Sequence, residues 1–176
     1  NTAPLSVDIH SIIKDNEEFF QLGLTVLSKL TDGQVFLTLK NEIKFDDVKV
    51  QTISGPHPAG NIGIQIHHTK PLKPNEIVWT VNAQHVITLG RLFKTGIYDP
   101  KIVISVGGSG SNKPENLRVT TGSSVGSIIE NQQLNSPVRL VSGDVLTGEI
   151  VSQENFIGFY DSTITILNDD VKRPFL

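Results

Sequence analysis

The residues whose side chains could most readily take part in chemistry are the histidines, of which the chain has five. One of them, His57, stands in the run Gly-Pro-His-Pro-Ala-Gly from Gly55 to Gly60. Each proline fixes φ near about −65° and each glycine permits positive φ, so this loop is stiff and holds His57 in one place. Two interpretations stay open: a rigid corner between a strand and a helix, or a loop that faces a ligand or a partner protein.

Candidate residues for contact with a ligand or with another protein of a complex lie on this loop and beyond it. They are His57, Pro58, Gly60, His67 and Trp79. No metal site is expected, because adjacent histidines diverge on a helix and face opposite sides on a strand, and no carboxylate lies at ligand spacing. Trp79 is the sole tryptophan and stands in an apolar run, which favours core packing over stacking on a quinone or another aromatic ligand.

Other motifs of catalysis or nucleotide binding are absent or broken. The sequence has no G-x-S-x-G elbow. Ser54 lies close to His57 in sequence, but this alone does not indicate a nucleophile and its base, which must also lie within hydrogen-bonding distance in the fold. A glycine and serine cluster at 107–111 follows a strand-like run, as in phosphate loops. It is followed by Pro114 and another strand-like run, however, and not by a helix N-terminus that could hold phosphate. We therefore interpret 107–114 as a flexible linker.

The composition is that of a globular protein able to bury a core. Hydrophobic residues make up 38% and charged residues 19% of 176 residues, and the net charge is −3. That charge gives no basic field for nucleic acid. The absence of cysteine excludes disulfides, thiolate zinc sites and cysteine-held iron–sulfur clusters within these residues. Because methionine is absent even at position 1, we expect a piece of a longer protein.

Strand-like and helix-like runs alternate up to residue 110. Apolar periodicity predicts a helix that starts near Asp15 or Asn16 and a second one from Ala83 to Lys94, capped by Asn82 and stopped at Gly96. A short helix or turn is expected at 62–66. Strands are predicted at 34–39, 48–53, 77–81 and 101–106. This order predicts an α/β layer sandwich with a partly parallel sheet over residues 1–110.

After the glycine cluster the predicted elements become shorter. One helix is predicted from Ser123 to about Gln132. Strands are predicted at 116–120, 138–141, 145–151, 156–160 and 163–167. One helix crossing a small mixed sheet is the outline of a β-grasp, or ubiquitin-like, unit, which we assign to residues 111–176.

Several strings together resemble one family. The Gly-Pro-His-Pro-Ala-Gly loop is followed, at 79–96, by Trp-x-Val-Asn-x-Gln-x-Val-Ile-x-x-Gly-x-Leu-Phe-x-Thr-Gly. With further matches from Asn16 to Leu167, these strings are similar to the A-subunit of the sodium-translocating NADH:quinone oxidoreductase, a bacterial respiratory sodium pump. The chain departs from that family at His85, where the family usually carries aspartate, and also at 108–111 and 159–161.

The resemblance implies a Rossmann-like three-layer domain followed by a β-grasp unit of the soluble-ligand-binding type. It implies a peripheral subunit on the cytoplasmic face of the bacterial inner membrane, whose partners are the other subunits of the complex, a membrane subunit especially. No cofactor is expected in these residues, since NADH oxidation and sodium movement belong to other subunits. We expect a role in assembly of the multi-subunit reductase and no catalysis by these residues alone, and an interaction of this subunit with quinone stays open. A stand-alone module that binds quinone or another small ligand is the alternative.

Overall fold

The computed structural model of the protein describes residues 2–40, 43–132, 134 and 137–169. By their contacts they form two compact units of mixed α/β structure. The first unit holds Asp8–Asp99 together with the first residues of the chain. The second unit holds Ala3–Val7 and the chain from Pro100 onward. The sequence-based expectation of two α/β parts therefore agrees with the structure at this level.

Helices dominate the first unit. Its elements are α1 (Ile9–Lys14), α2 (Glu17–Leu30), β1 (Phe36–Leu39), β2 (Lys49–Thr52), α3 (Ile62–Thr69) and α4 (Ala83–Thr95). β1 and β2 pair in parallel, with Phe36 opposite Lys49 and Leu39 opposite Thr52. Both strands were predicted from sequence, whereas α1 was not, because its single turn and a half carries too few apolar positions to define a period.

The core of the first unit lies between α2, α4 and β1, since each helix carries an apolar stripe at helical spacing. Its buried residues are Ile13, Phe20, Leu24, Leu39, Val86 and Ile87. Two glycines let the backbones of α2 and α4 approach closely. A β-carbon at Gly90 would lie 1.8 Å from the carbonyl oxygen of Phe19, and one at Gly23 would lie 2.1 Å from that of Val86. Any side chain at either position would therefore push the two helices apart.

Both ends of α4 carry the predicted caps. The side chain of Asn82 accepts a hydrogen bond from the backbone N–H of Gln84 at 2.9 Å, and Gly96 ends the helix with a left-handed φ of 73°. Arg91 then ties α4 to its surroundings, because its guanidinium binds Asp99 and donates to Asn16 Oδ1 at 3.0 Å.

The second unit is a mixed sheet with a short helix. Its elements are β3 (Lys101–Gly107), β4 (Glu115–Thr120), α5 (Val125–Ile129), β5 (Val138–Ser142), β6 (Glu149–Val151) and β7 (Thr163–Asn168). The strand order is β4-β3-β7-β5-β6, in which β3 and β7 are parallel and the other neighbours are antiparallel. The apolar side of α5, with Val125, Ile128 and Ile129 as predicted, belongs to the same buried cluster as Ile104 and Ile164 of the sheet.

None of the helices in the described part of the chain, in either unit, has the length and apolar character of a membrane-spanning segment.

The division between the two units falls at Asp99 and Pro100, not at residue 110 as the sequence suggested. The reason is that β3 pairs with β4 and β7, so it belongs to the second unit. The glycine cluster is consequently the connection between two strands of one sheet, and the linker interpretation is wrong. Gly110 donates its N–H to the carbonyl oxygen of Ile166 at 2.9 Å. Gly108 has a φ of 129°, and a β-carbon there would lie 2.3 Å from the same oxygen.

Two of the predicted strands are not formed. Residues 77–81 have no regular secondary structure, and Trp79 is 83% exposed, so the prediction of core packing for Trp79 is wrong. Residues 156–160 form a single bridge, between Phe156 and Ser124, instead of a ladder, and Gly158 donates its N–H to Oγ of Ser142 in β5 at 3.0 Å. Both runs are rich in residues that favour strands, and this propensity has an effect only where a partner strand supplies the ladder. The helix predicted to reach Gln132 ends at Ile129.

Candidate functional site

The Gly-Pro loop leaves the carboxyl end of β2 and leads into α3. Because β1 and β2 are parallel, their carboxyl ends lie at the same edge of the sheet. The pairing extends one residue past β2, where Ile53 donates its N–H to the carbonyl oxygen of Leu39, the last residue of β1, at 2.9 Å. In open α/β sheets, ligands bind in the crevice outside this edge. The loop thus lies at the edge where sheets of this kind bind their ligands.

A cleft of about 210 Å³ lies at this edge of the sheet. Thr38 and Lys40 line it from the end of β1, Ser54 and Gly55 from the loop, and Gln65 from α3. Polar residues of three elements thus line the cleft, together with the apolar Leu39, Ile53 and Ala59. Its volume is below the roughly 300 Å³ at which ordinary small-molecule pockets begin. By its size, the cleft suits a small group better than a ring with an apolar tail.

Thr2 fixes the second half of the loop. Its Oγ1 accepts a hydrogen bond from the backbone N–H of Gly60 at 2.8 Å and lies 3.4 Å from Nδ1 of His57. A β-carbon at Gly60 would lie 2.6 Å from the backbone nitrogen of Thr2, so this approach needs glycine. On the other side, Gln65 donates from Nε2 to the carbonyl oxygen of Gly60 at 2.9 Å.

The loop itself is folded into successive tight turns. Ala59 donates its N–H to the carbonyl oxygen of Pro56 at 2.9 Å, and Asn61 donates to that of Pro58 at 2.8 Å. His57 is half-buried, with one ring nitrogen directed at Thr2. These contacts favour the rigid-corner interpretation of the loop. The imidazole takes part in holding the corner instead of pointing freely into solvent.

The five candidate residues are not assembled around one point by contacts of their own. His57, Pro58 and Gly60 share the loop, whereas His67 lies exposed on α3 with its ring edge-on to that of His68, at 5.3 Å between centroids. Trp79 lies in the exposed stretch before α4. In the described residues no group of three or more His, Asp or Glu side chains is arranged to hold a metal ion.

Sequence reasoning missed Thr2, Lys40 and Gln65. Thr2 lies near the N-terminus, far from the loop in sequence, and no periodicity or motif indicates a contact between the two. Lys40 and Gln65 occupy positions just after β1 and within α3, at the same edge as the loop. The rule that polar residues after parallel strands converge could have found Lys40, once the parallel pairing of β1 and β2 was assumed.

Two titratable groups of the first unit have pKa values shifted from their ordinary ones. The carboxylate of Glu76 accepts the backbone N–H of Lys73 at 3.0 Å. This hydrogen bond, aided by the charges of Lys70 and Lys73, lowers the pKa of Glu76. In α4, burial lowers the pKa of His85, because the charged imidazolium is costly to desolvate.

Comparison with known proteins follows the two structural units. Residues 1–98 match the family model described as "NqrA second alpha/beta domain", and residues 103–153 match the one described as "NQRA C-terminal domain". The chain belongs to the NqrA family. The boundary between the two matches coincides with the structural division at Asp99 and Pro100.

Curated relatives match along nearly the whole chain. The A-subunit of the Na(+)-translocating NADH-quinone reductase of Hahella chejuensis is 36% identical over 179 residues, which cover 98% of this chain and 40% of that protein. The protein of the same name from Neisseria meningitidis serogroup B is 37% identical over 175 residues, covering 96% of this chain and 39% of the relative. The protein of the same name from Rhodopirellula baltica is 36% identical over 183 residues, covering 100% of this chain and 40% of the relative. The chain thus spans about two fifths of the length of these relatives.

Proposed function

We propose that this chain is part of the A-subunit of a sodium-translocating NADH-quinone reductase and serves the assembly of that complex as a cofactor-free scaffold. The observation that carries the proposal is the pair of NqrA domain matches, in order, over the two units. We assign the first unit to a Rossmann-like domain and the second to a β-grasp unit of the soluble-ligand-binding type. The parallel β1–β2 pair beside helices supports the first assignment, and the helix on a mixed sheet supports the second.

In this proposal the protein is peripheral, on the cytoplasmic face of the bacterial inner membrane, and a membrane subunit of the complex is its chief partner. The second unit offers a surface suited to such docking. Its stretch 145–160 exposes large apolar side chains, among them Leu146, Ile150 and Phe156, which are 58%, 72% and 67% exposed. Where such side chains form a contiguous patch on a protein surface, the patch commonly marks an interaction site.

Co-purification tests the proposal. In cells that lack their own NqrA, a full-length NqrA with Phe156→Asp should be recovered with an affinity-tagged membrane subunit at a level about tenfold or more below wild type, because a charge cannot be buried unpaired in an interface. Gln153→Asp, which introduces the same side chain at a neighbouring exposed polar position, should be recovered like wild type. Equal recovery of both variants would contradict the docking role of this stretch.

Quinone binding gains less support from the geometry. A quinone needs a deep apolar pocket with a few polar groups and a volume of roughly 300 Å³ or more, whereas the cleft at the β1–β2 edge is only about 210 Å³. The alternative of a stand-alone quinone module therefore ranks second. Calorimetric titration of full-length NqrA with a short-chain quinone, repeated with Gln65→Leu, checks it, because only a quinone held in this cleft would change affinity with that substitution.

A further inference from the structure

The stretch Ile77–Val81 has the sequence Ile-Val-Trp-Thr-Val, and each of its residues is exposed. Four of these are β-branched and one is aromatic, which are the residue types that strands favour. In a strand, alternate side chains point to opposite faces. The apolar residues here occupy both sets of alternate positions, with Ile77 82% and Trp79 83% exposed on one set and Val78 41% exposed on the other. Such a run is typical of a strand that is covered on both faces.

The backbone of this stretch has no backbone partner in the part of the chain that the structure describes. Within the described residues, no backbone hydrogen bond between segments involves the N–H or C=O of residues 77–81. The two ends are nevertheless fixed. Before the stretch, Glu76 donates its N–H to the carbonyl oxygen of Lys73 at 3.1 Å and accepts the N–H of Lys73 on its carboxylate at 3.0 Å. After it, Asn82 caps α4. A segment with strand-forming residues is held between two fixed points without a ladder.

The sheet of the first unit is also small. In the described residues it consists of β1 and β2 alone. An isolated pair of strands is only marginally stable in water, and parallel sheets are normally larger and covered on both faces. The first unit thus has too few paired strands for its helices, and one run of its own sequence with the composition of a strand remains unpaired.

We propose that Ile77–Val81 is a β-strand whose partner is an extended segment of the same NqrA polypeptide, contributed by sequence outside these residues. The pairing satisfies the backbone of 77–81 and buries Trp79. More of the polypeptide lies outside this chain than within it, since the chain covers 40% of a relative's length. A covalently linked partner is also the one that protects the segment before the complex assembles, because a bare apolar strand is an aggregation hazard.

Hydrogen exchange measured by mass spectrometry on purified full-length NqrA, without the other proteins of the complex, tests this pairing. The amides of residues 78–81 should exchange about 100-fold or more slowly than those of Leu72 and Asn75 in the preceding exposed turn, because ladder hydrogen bonds protect amides from solvent. Exchange as fast as in the turn would overturn the proposal. Protection that appears only in the assembled complex would assign the partner strand to a different protein, and protection that grows with NqrA concentration would assign it to a second copy; either would overturn it.

Variants in full-length NqrA separate burial of Trp79 from general unfolding. Trp79→Asp should raise the exchange rates of 78–81 to those of the turn, while the amides of Val86 and Ile87 in α4 stay protected. Tyr98→Asp places the same charge at another exposed aromatic position, 58% exposed, and should leave residues 78–81 as in wild type. Unchanged protection in Trp79→Asp would contradict the burial of the indole. This pairing lies within one polypeptide and rests on the proposed function only for the length of that polypeptide, so its failure is distinguishable from a failure of docking to the membrane subunit.

Discussion

At the scale of single residues, His85 gives the first unit a dependence on pH. Burial lowers its pKa in the folded protein below the ordinary value of 6.5. As the pH falls from 6.5 towards the folded-state pKa, the unfolded chain takes up a proton that the folded chain resists, so the free energy of unfolding decreases. Above 6.5 the imidazole is neutral in both states and this contribution disappears.

His85→Gln should therefore flatten the dependence of stability on pH. Urea midpoints of this chain, followed by circular dichroism near pH 7.5 and near pH 5.5, measure the change. The wild-type midpoint should drop further between the two conditions than that of the variant. An equal decrease of the urea midpoint in both proteins would show that another group controls the loss of stability at low pH.

Ser142 is a second residue with a measurable role. Its Oγ donates to Asp161 Oδ2 at 2.6 Å and accepts the backbone N–H of Gly158 at 3.0 Å, so it holds the turn before β7 against β5. Ser142→Ala should cost about 1–3 kcal/mol, since two polar partners lose their hydrogen bond. Urea unfolding checks the loss. Ser127→Ala, at an exposed position of α5, is the control and should stay within about 0.5 kcal/mol of wild type.

Residue-scale features were predictable where the chemistry is local. The cap of α4 by Asn82 and its stop at Gly96 follow from a side-chain acceptor and from a residue that tolerates positive φ, and both were confirmed. The hydrogen bond from Gly60 to Thr2 was not predicted, because nothing near the loop in sequence marks its partner. Trp79 was assigned to the core on its hydrophobicity, yet burial depends on what else packs there.

At the scale of elements, the crossing of α2 and α4 depends on glycine. A β-carbon at Gly90 meets the backbone of α2, whereas one at Gly63 in α3 meets nothing within 4 Å. Gly90→Ala should thus destabilise the first unit by about 1–3 kcal/mol or more through overpacking. Gly63→Ala should stabilise it by about 0.5–1 kcal/mol, because alanine loses less backbone entropy in a helix.

Opposite signs for two chemically identical changes make this a sharp test of the helix packing. Hydrogen exchange of the α2 and α4 amides in full-length NqrA gives the free energy of local opening for each variant. A neutral Gly90→Ala would mean that the two helices do not approach as closely as the structure has them.

Elements with a strong period were also predicted well. The α2 and α4 helices and the strands β1 to β5 and β7 fall within the predicted runs or within a few residues of them. The strand predictions for 77–81 and 156–160 were wrong for a shared reason. The composition of a run indicates a preference for strand structure, but it does not indicate whether a partner strand is present. Propensity is local, but a ladder is not.

At the scale of the whole molecule, the two units were expected, but the division between them was set too late. Glycine and serine content drew the boundary to the 107–114 region, where the structure has a tight turn between β3 and β4. Glycine serves close packing against Ile166 there and not flexibility. Composition cannot separate these two uses of glycine; only the pairing of β3 with β7 does.

The strand order of the second unit has a consequence for its synthesis. β7, which comes last in the described sequence, lies at the centre of the sheet, between β3 and β5. On the ribosome, the helices and strands described for the first unit emerge before those of the second, since all of them precede Asp99. The second unit must wait, with β3 lacking its inner neighbour, until Asn168 has left the exit tunnel. Until then β3 and β5 expose the edges that β7 will occupy, and the nascent chain depends on chaperones or on speed to keep them apart from other strands.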